Sequence, residues 1–207
     1  MDEYIKGSVS GIIQILSGHP FDTMKVQRQN NMNIPTKNII KLYKGISFPL
    51  ITNSVVIGSQ FYLYHNYSGI IAGIVSGLMI TPIDYFKIQK QMNINYKYKI
   101  KIPKGFNITI MRETLSVPIY FNSYYYINER LNNNFLSGGL AGMLSWLITY
   151  PIDTIKTRIQ NESCKTIKEA ISKGGLNKGM GICLTRAFIV NGINFSVYEK
   201  VIESFEK

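Results

Sequence analysis

The chain has 207 residues, of which 45% are hydrophobic, and a formal net charge of +11. This length allows either one soluble α/β domain or a compact membrane bundle. The basic residues alternate with apolar runs, which argues against a nucleic-acid-binding protein, since such a protein has no reason to divide its charge in this way.

Six apolar segments follow one another along the chain. Charged residues inside them are confined to Arg112 and Glu113 in the fourth segment and Arg186 in the sixth. A bilayer core about 30 Å thick requires about 20 mostly apolar residues per helix, a length that the segments reach once their flanks are included. We therefore predict an all-α membrane protein with six transmembrane helices. The segments are residues 7–20, 46–64, 67–83, 106–128, 131–152 and 179–198.

The links between these segments alternate in charge. Of the 23 lysines and arginines, 17 lie in residues 25–45, 87–104 and 156–178, which link the odd helices to the even helices that follow them. The other two links are very short and almost uncharged. The positive-inside rule then places both termini on the less basic side of the membrane. Because the chain opens Met1-Asp2-Glu3, we expect no cleavable presequence, which would be basic.

One motif recurs in the first, third and fifth predicted helices. An aspartate, a lysine and a glutamine follow two, five and nine residues after a proline, and the prolines are Pro20, Pro82 and Pro151. Three copies at offsets of 62 and 69 residues indicate a triplicated unit. We predict three repeats within a single transmembrane domain. Their ranges are 1–66, 67–131 and 132–207.

Glycines four residues apart precede each motif. They lie 13 and 9 residues before the proline in every copy, and also 5 residues before it in the second copy. Small residues at this spacing form a smooth stripe that lets two membrane helices approach closely. We therefore expect these glycines at helix contacts: Gly7, Gly11, Gly69, Gly73, Gly77, Gly138 and Gly142.

The motif also predicts a ring of charges. A proline inside a long helix produces a kink, so three kinks tilt three helix ends toward a common axis. The aspartate and lysine of each copy lie near one face of the helix, and six charges near a membrane interior are costly unless they pair. We predict a gate made by Asp22, Lys25, Asp84, Lys87, Asp153 and Lys156, and braced by Gln29, Gln91 and Gln160. The alternative is that these pairs are static structural contacts.

With this motif present three times, the chain resembles the mitochondrial carrier family, also called solute carrier family 25, over nearly its whole length. The resemblance implies a pseudosymmetric six-helix bundle with a central cavity, alternating access, and a place in the mitochondrial inner membrane as a multi-pass monomer without cofactor or metal. It also implies lipid contacts, with cardiolipin at the matrix side, and gate pairs Asp22–Lys87, Asp84–Lys156 and Asp153–Lys25. The even helices begin as in that family, with Tyr43-Lys44-Gly45, Pro103-Lys104-Gly105 and Asn177-Lys178-Gly179.

The chain departs from the family pattern at two places. The family has a short helix in each matrix link, introduced by an acidic residue and a glycine, whereas the first two links are too short to match and the third offers only Lys173-Gly174. The second, cytoplasmic gate keeps a charge only at Glu199. We expect a weak gate there, closed by tyrosines instead: Tyr64, Tyr125 and Tyr198.

Three positions are expected to face the cavity midway through the membrane, because the family has cavity residues seven positions after each even-helix glycine. They are Thr52, Arg112 and Arg186, with Asn53 and Glu113 beside the first two. An arginine at this depth is costly and indicates a site, and two guanidiniums suit a phosphate or carboxylate. Pairing of Arg112 with Glu113 is the less favoured alternative, because adjacent helical residues point about 100° apart.

Two substrate classes fit these residues. In the family, an arginine followed by an acidic residue on the fourth helix accompanies amino-acid or carnitine-like substrates. The compact chain, rich in Asn, Ile and Lys, also resembles the carrier of giant DNA viruses, which implies nucleotides and, for a viral chain, the mitochondria of a host cell. Our preferred prediction is exchange of anionic nucleotides, including deoxynucleotides, and the alternative is an amino-acid or carnitine-like substrate. Base contacts could come from Asn53, Gln60, Tyr120 and Asn191.

Other classes of function fit the sequence less well. A channel or proton leak needs gates that are weak on both sides, which the complete Asp/Lys motif argues against. An enzyme needs a nucleophile, a base and an orienting group, and His19 and His65 are isolated in the sequence. A non-transporting scaffold would tolerate neutralisation of Arg112 and Arg186.

Overall fold

The computed structural model describes residues 2–29, 43, 46–91, 105–160 and 164–205. Within these ranges the chain is all-α, with six long helices and one short helix. The helices are α1 (Asp2–Gln29), α2 (Ser47–Asn66), α3 (Gly69–Gln91), α4 (Phe106–Leu131), α5 (Asn134–Gln160), α6 (Ile167–Ser172) and α7 (Met180–Phe205).

Two tight turns connect α2 to α3 and α4 to α5. Each is made by two residues, and polar side chains in them cap the helix that follows: Ser68 Oγ accepts from Ile71 N at 3.3 Å and Asn133 Oδ1 from Leu136 N at 3.0 Å. Such caps satisfy backbone N–H groups that the first helical turn leaves unpaired. The turns make the connected helices antiparallel neighbours.

The six long helices form a closed ring. Each of α1 to α5 packs on the next long helix along the chain, and α7 packs on both α5 and α1. The short α6 lies against α5. The ring encloses an interior to which every long helix can contribute side chains.

The glycine stripes lie at helix contacts, as predicted. A Cβ built on Gly73 would lie 2.6 Å from the backbone oxygen of Glu113, and one on Gly138 would lie 2.7 Å from the backbone oxygen of Asn191. On α1, a Cβ on Gly7 would lie 2.8 Å from Phe61 Cβ. Because these distances leave no room for a methyl group, the glycines let α3, α5 and α1 approach α4, α7 and α2.

The distribution of polarity differs from that of a typical water-soluble domain. Large apolar side chains are exposed along the outer helix faces, whereas many buried residues are hydroxyl or amide residues. Exposed apolar stripes of this extent fit a lipid surface better than water. Exposed members on α1 are Ile5, Val9, Ile12 and Leu16, and buried polar members of the ring include Ser10, Ser76, Thr81, Ser137, Ser145, Thr149 and Asn194.

Two of the long helices could cross a membrane by their length and composition. They are Asn134–Gln160 and Met180–Val201, and Gly69–Ile83 is a shorter apolar stretch, among the residues that the structure describes. The all-α class is confirmed over the described ranges, and six membrane spans stay a prediction.

The motif prolines lie inside helices. Pro20, Pro82 and Pro151 are within α1, α3 and α5, as predicted, and Pro118 lies inside α4. Gly69 packs directly on Pro118, since a Cβ on Gly69 would lie 2.9 Å from its Cα.

The third basic link contains a short helix that the sequence analysis did not predict. α6 begins after Thr166, whose side chain accepts a hydrogen bond from Glu169 N at 3.2 Å. Arg158 on α5 donates to the carbonyl oxygens of Ala170 at 2.6 Å and Gly174 at 2.7 Å, which ties the end of α6 to α5. The signal was present as a capping-box spacing of Thr166 and Glu169. The other two basic links lie outside the described residues.

Candidate functional site

A charged cluster lies between α4 and α5. Glu113 is only 3% exposed, and a carboxylate buried to this extent needs a partner. Arg112 Nη1 forms an ion pair with Glu113 Oε1, and Arg112 Nε lies 3.5 Å from Asp153 Oδ1. A single guanidinium thus bridges carboxylates of two helices.

The expectation that Arg112 and Glu113 do not pair with each other is therefore wrong. Backbone directions 100° apart separate the Cβ atoms, but the long arginine side chain can curve back over the neighbouring residue. Glu113 lies where Gly73 brings α3 close to α4, so this carboxylate is shielded from solvent. The buried carboxylate needs a cationic partner, and this requirement outweighs the separation between the Cβ directions of the two residues.

The ring of Trp146 packs against the guanidinium of Arg112. The Arg112 Cζ lies 4.7 Å from the centre of the Trp146 ring, a cation–π geometry. Trp146, the one tryptophan in the chain, was not expected at this site from the sequence. The three contacts fix the guanidinium of Arg112 in position.

The predicted gate is described only for the third repeat. Asp153 is half-buried and meets Arg112, while Lys156, one turn further along α5, is 6% exposed. Gln160 Cγ lies 3.1 Å from the place of a Cβ on Gly105, at the start of α4. The Asp/Lys ring stays a prediction, because the side chains of Asp22, Lys25, Gln29, Asp84, Lys87 and Gln91 lie outside the described residues.

The remaining predicted cavity positions are on α2 and α7. Thr52 is half-buried and Asn53 is exposed. Because two residues turn a helix by about 200°, Asn53 lies roughly opposite the exposed apolar Ile51 around α2. Arg186 Nη2 lies 3.5 Å from the place of a Cβ on Gly18. Arg186 is therefore directed toward α1, whereas Arg112 is directed toward α5.

Four polar residues form a second cluster, the amide network, which joins α1, α4 and α7. Gln14 Nε2 donates to Asn191 Oδ1 at 3.1 Å, and Tyr120 OH donates to the same oxygen at 3.2 Å. Asn194 Nδ2 donates to Tyr120 OH at 3.2 Å. Tyr120 and Asn191 were expected from the sequence to supply contacts from the even helices. Gln14 and Asn194 were not, because their pairing requires contacts between helices distant in sequence.

An aromatic cluster closes the end of the ring near both termini. The Phe61 ring lies 4.8 Å from that of Phe121 and 4.0 Å from that of Tyr198. The Tyr64 ring stacks on Phe121 at 4.4 Å and on Tyr125 at 5.8 Å. The structure thus brings the three predicted tyrosines into one connected set of rings.

Carboxylates and an amide brace this aromatic cluster. Tyr124 OH donates to Glu199 Oε1 at 2.9 Å, Tyr198 OH donates to Glu3 Oε2, and Tyr64 OH donates to Asn122 Oδ1 at 2.6 Å. Hydrogen bonds to ionised acceptors are stronger than neutral ones. Glu199, which the sequence analysis named as the one charge kept at this end, is part of this bracing.

Comparison with known proteins bears on the kind of solute. A sequence model of a family described as "Mitochondrial carrier protein" matches residues 130–207. The mitochondrial arginine transporter BAC2 of Arabidopsis thaliana is 26% identical over an alignment that covers 95% of this chain and 89% of that protein. The mitochondrial basic amino acids transporter of Homo sapiens is also 26% identical, with 97% and 89% covered.

A third relative is also named as a transporter of a basic amino acid. The mitochondrial ornithine transporter 1 of Schizosaccharomyces pombe is 25% identical, with 92% of this chain and 88% of that protein covered. Nothing in these comparisons supports the expected likeness to a carrier of giant DNA viruses.

Proposed function

We propose, since the chain belongs to the mitochondrial carrier family, that it transports basic amino acids across the mitochondrial inner membrane by alternating access. The named relatives favour this substrate class over the nucleotides that were our first expectation, because they are transporters of arginine, ornithine and basic amino acids. The alternative substrate suggested by Arg112 and Glu113 thereby becomes the preferred one. A transporter of this family is not an enzyme.

The observation that carries the proposal is the charged cluster. Among the residues whose side chains are described, it sets one guanidinium against two carboxylates, those of Glu113 and Asp153. A polyphosphate would meet both of them at short range, where like charges repel strongly in a medium of low dielectric constant. A solute with a carboxylate and an additional positive charge fits this arrangement better.

The cluster suggests how binding could proceed by exchange of partners. The carboxylate of the amino acid would compete with Glu113 and Asp153 for Arg112, since guanidinium and carboxylate match in a bidentate geometry. Its ammonium group would then replace the guanidinium beside Glu113. Every buried charge keeps a partner throughout, which is the condition for charges inside a membrane.

The same exchange would couple binding to movement. We place Asp153 in the predicted gate pair with Lys25, so a substrate that takes over Arg112 would leave Asp153 available for that pair. A ligand shifts a conformational equilibrium only by its difference in affinity for the two states. The aromatic cluster would close the opposite end, and the three repeats would supply equivalent hinges at their prolines.

The surface and the charge distribution support the location. The outer faces of the ring carry exposed apolar side chains, as a lipid surface requires, and the basic links would lie on the matrix side by the positive-inside rule. Cardiolipin is the proposed lipid partner there. The chain is proposed to act as a multi-pass monomer.

A binding screen followed by transport measurements tests the function. Purified protein is heated with millimolar arginine, lysine, ornithine, ATP, dATP or a keto acid, and uptake into proteoliposomes is then measured. A ligand raises the unfolding temperature as its concentration exceeds its dissociation constant, so we expect stabilisation by the three basic amino acids. Stabilisation and exchange of nucleotides without amino-acid uptake would contradict the proposal.

A further inference from the structure

The amide network leaves two buried oxygen atoms without a hydrogen bond. Gln14 Oε1 and Asn194 Oδ1 are buried and have no hydrogen-bond partner among the residues that the structure describes. Asn194 itself is 1% exposed. A buried acceptor without a donor costs free energy, so two of them in one small cluster require an explanation.

The donors of the network are already engaged. Gln14 Nε2 and Tyr120 OH donate to Asn191 Oδ1, Asn194 Nδ2 donates to Tyr120 OH, and Asn191 Nδ2 donates to the carbonyl oxygen of Ala187 at 2.8 Å. Each donor atom of the network thus has at least one acceptor, whereas Gln14 Oε1 and Asn194 Oδ1 have no donor among the described residues. A ligand that satisfies these two oxygens must be a hydrogen-bond donor.

The position of the network fits the far end of a basic amino acid. Tyr120 is seven residues beyond Glu113 on α4, which corresponds to about 10 Å along the helix axis. The four-carbon stem of lysine places its ammonium about 6 Å from its α-carbon, and a hydrogen bond adds about 3 Å. A lysine whose α-carboxylate and α-ammonium lie at the charged cluster could thus reach the two oxygens.

We propose that Gln14 Oε1 and Asn194 Oδ1 form the subsite that receives the cationic side-chain group of the substrate. This inference rests on the proposed transport of basic amino acids and extends it to the residues that select for the second positive charge. Both oxygens are covered in the structure described, and Gln14 bridges α1 to Asn191 on α7. The subsite therefore becomes accessible when α1 and α7 separate.

A purely structural role is the competing explanation. The network would then only hold α1 against α7, and its open acceptors would have no ligand. The two explanations differ in what they predict for a neutral substrate. If the network is only structural, substitutions in it change the binding of all substrates alike. If it is a cation subsite, they change the binding only of substrates with a hydrogen-bond donor at the end of the side chain.

The test compares lysine with norleucine, which has the same four-carbon side chain without the ammonium group. Apparent dissociation constants come from thermal-shift titrations of the full chain, and uptake is measured in proteoliposomes. For Gln14→Met and Asn194→Leu, which retain side-chain volume, we expect the preference for lysine to fall by roughly tenfold to a hundredfold, as for a lost hydrogen bond to a charged group. Norleucine binding should stay within about twofold of wild type. Asn66→Leu, at an exposed amide at the end of α2, is the matched control and should leave the preference unchanged.

The outcomes separate this inference from the proposed function. If wild type prefers lysine and the Gln14 and Asn194 variants keep that preference, the subsite is wrong and basic amino-acid transport stands. If wild type binds nucleotides and no amino acid, both are wrong. Should either apolar variant unfold, Asn194→Asp keeps the side-chain shape and adds a negative charge, and the subsite requires it to raise the preference for lysine.

Discussion

The guanidinium of Arg112 is given two roles with opposite requirements. It neutralises the buried Glu113 and reaches Asp153, which stabilises the protein, and under the proposed function it would have to release them for a substrate. Breaking a buried pair by removing one partner is costly because the other charge stays buried. Stability and transport should therefore respond differently to single and double substitutions in this cluster.

Arg112→Gln tests this distinction. We expect the free energy of unfolding to fall by about 3–5 kcal/mol, because Glu113 loses the partner of its buried charge. Amino-acid uptake should fall at least about a hundredfold, as an interaction worth about 3 kcal/mol is lost. Thermal unfolding and proteoliposome uptake measure the two effects.

The double variant Arg112→Gln with Glu113→Gln is the control. Without the orphaned charge it should recover most of the stability, because only neutral groups remain at that pair, but it should not recover transport. A single Arg112→Gln variant as stable as wild type would contradict the role given to the pair.

Trp146 should influence affinity more than stability. The ring lies against Arg112, and a cation–π contact contributes about 0.5–2 kcal/mol. Trp146→Leu should raise KM for lysine roughly threefold to tenfold, because the guanidinium is less well positioned, while Trp146→Phe retains part of the effect. Uptake kinetics over a range of lysine concentrations provide the measurement, and equal KM values for the two variants would argue against this contact.

At the scale of the elements, glycine contacts set how closely the helices of the ring approach. Three glycines bring α3 against α4, namely Gly69, Gly73 and Gly77. The contact at Gly73 is made with the backbone of Glu113. The glycines therefore position the charged cluster as well as the helices.

Gly73→Ala should separate α3 from α4. The added Cβ would lie 2.6 Å from the Glu113 backbone oxygen, and backbone cannot move aside as a flexible side chain can. We expect destabilisation of about 1–3 kcal/mol, as for an overpacked core, in a thermal unfolding measurement.

Gly181→Ala on α7 is the matched control for this contact. A Cβ there has nothing within 4 Å, so alanine should leave stability unchanged or raise it by about 0.5–1 kcal/mol through its higher helix propensity. Equal destabilisation by both variants would show that the effect comes from the loss of glycine itself.

At the scale of the whole molecule, the ring is closed near the termini by aromatic packing. Phe61, Phe121, Phe195 and Tyr198 belong to one buried core cluster, and hydrogen bonds from Tyr124 and Tyr198 to carboxylates brace it. If this end opens during transport, these hydrogen bonds must break together with the ring contacts.

The double variant Tyr124→Phe with Tyr198→Phe should favour opening at this end. It keeps the rings but removes two hydrogen bonds to carboxylates, each worth about 1.5–3 kcal/mol. A cysteine introduced at Gln60, which is half-buried on α2, should then react with a water-soluble thiol reagent at least about tenfold faster. Tyr126→Phe, which removes an exposed hydroxyl, should leave the labelling rate unchanged, and equal rates in all three proteins would contradict a gate here.

Much of the element level could be predicted from local patterns. The apolar segments correspond to long helices, the motif prolines lie within them, and the glycines at steps of four lie at helix contacts. The short α6 was missed because six residues carry little periodicity and only its capping residues Thr166 and Glu169 signal it. The partners of Arg112 could not be predicted, since one of them, Asp153, belongs to another helix.

By itself the sequence determined the all-α class and the stripes of small residues, because these depend on spacing along single helices. The gathering of Tyr64, Tyr125 and Tyr198 at one end was expected from the family resemblance instead. Only the tertiary structure decided that Arg112 joins Glu113 and Asp153, and that Gln14 meets Asn191 across 177 positions of chain. The physical reason is that closure of the ring brings α4 onto α5 and α7 onto α1. Burial then obliges each charge and amide to pair with whatever group lies within reach.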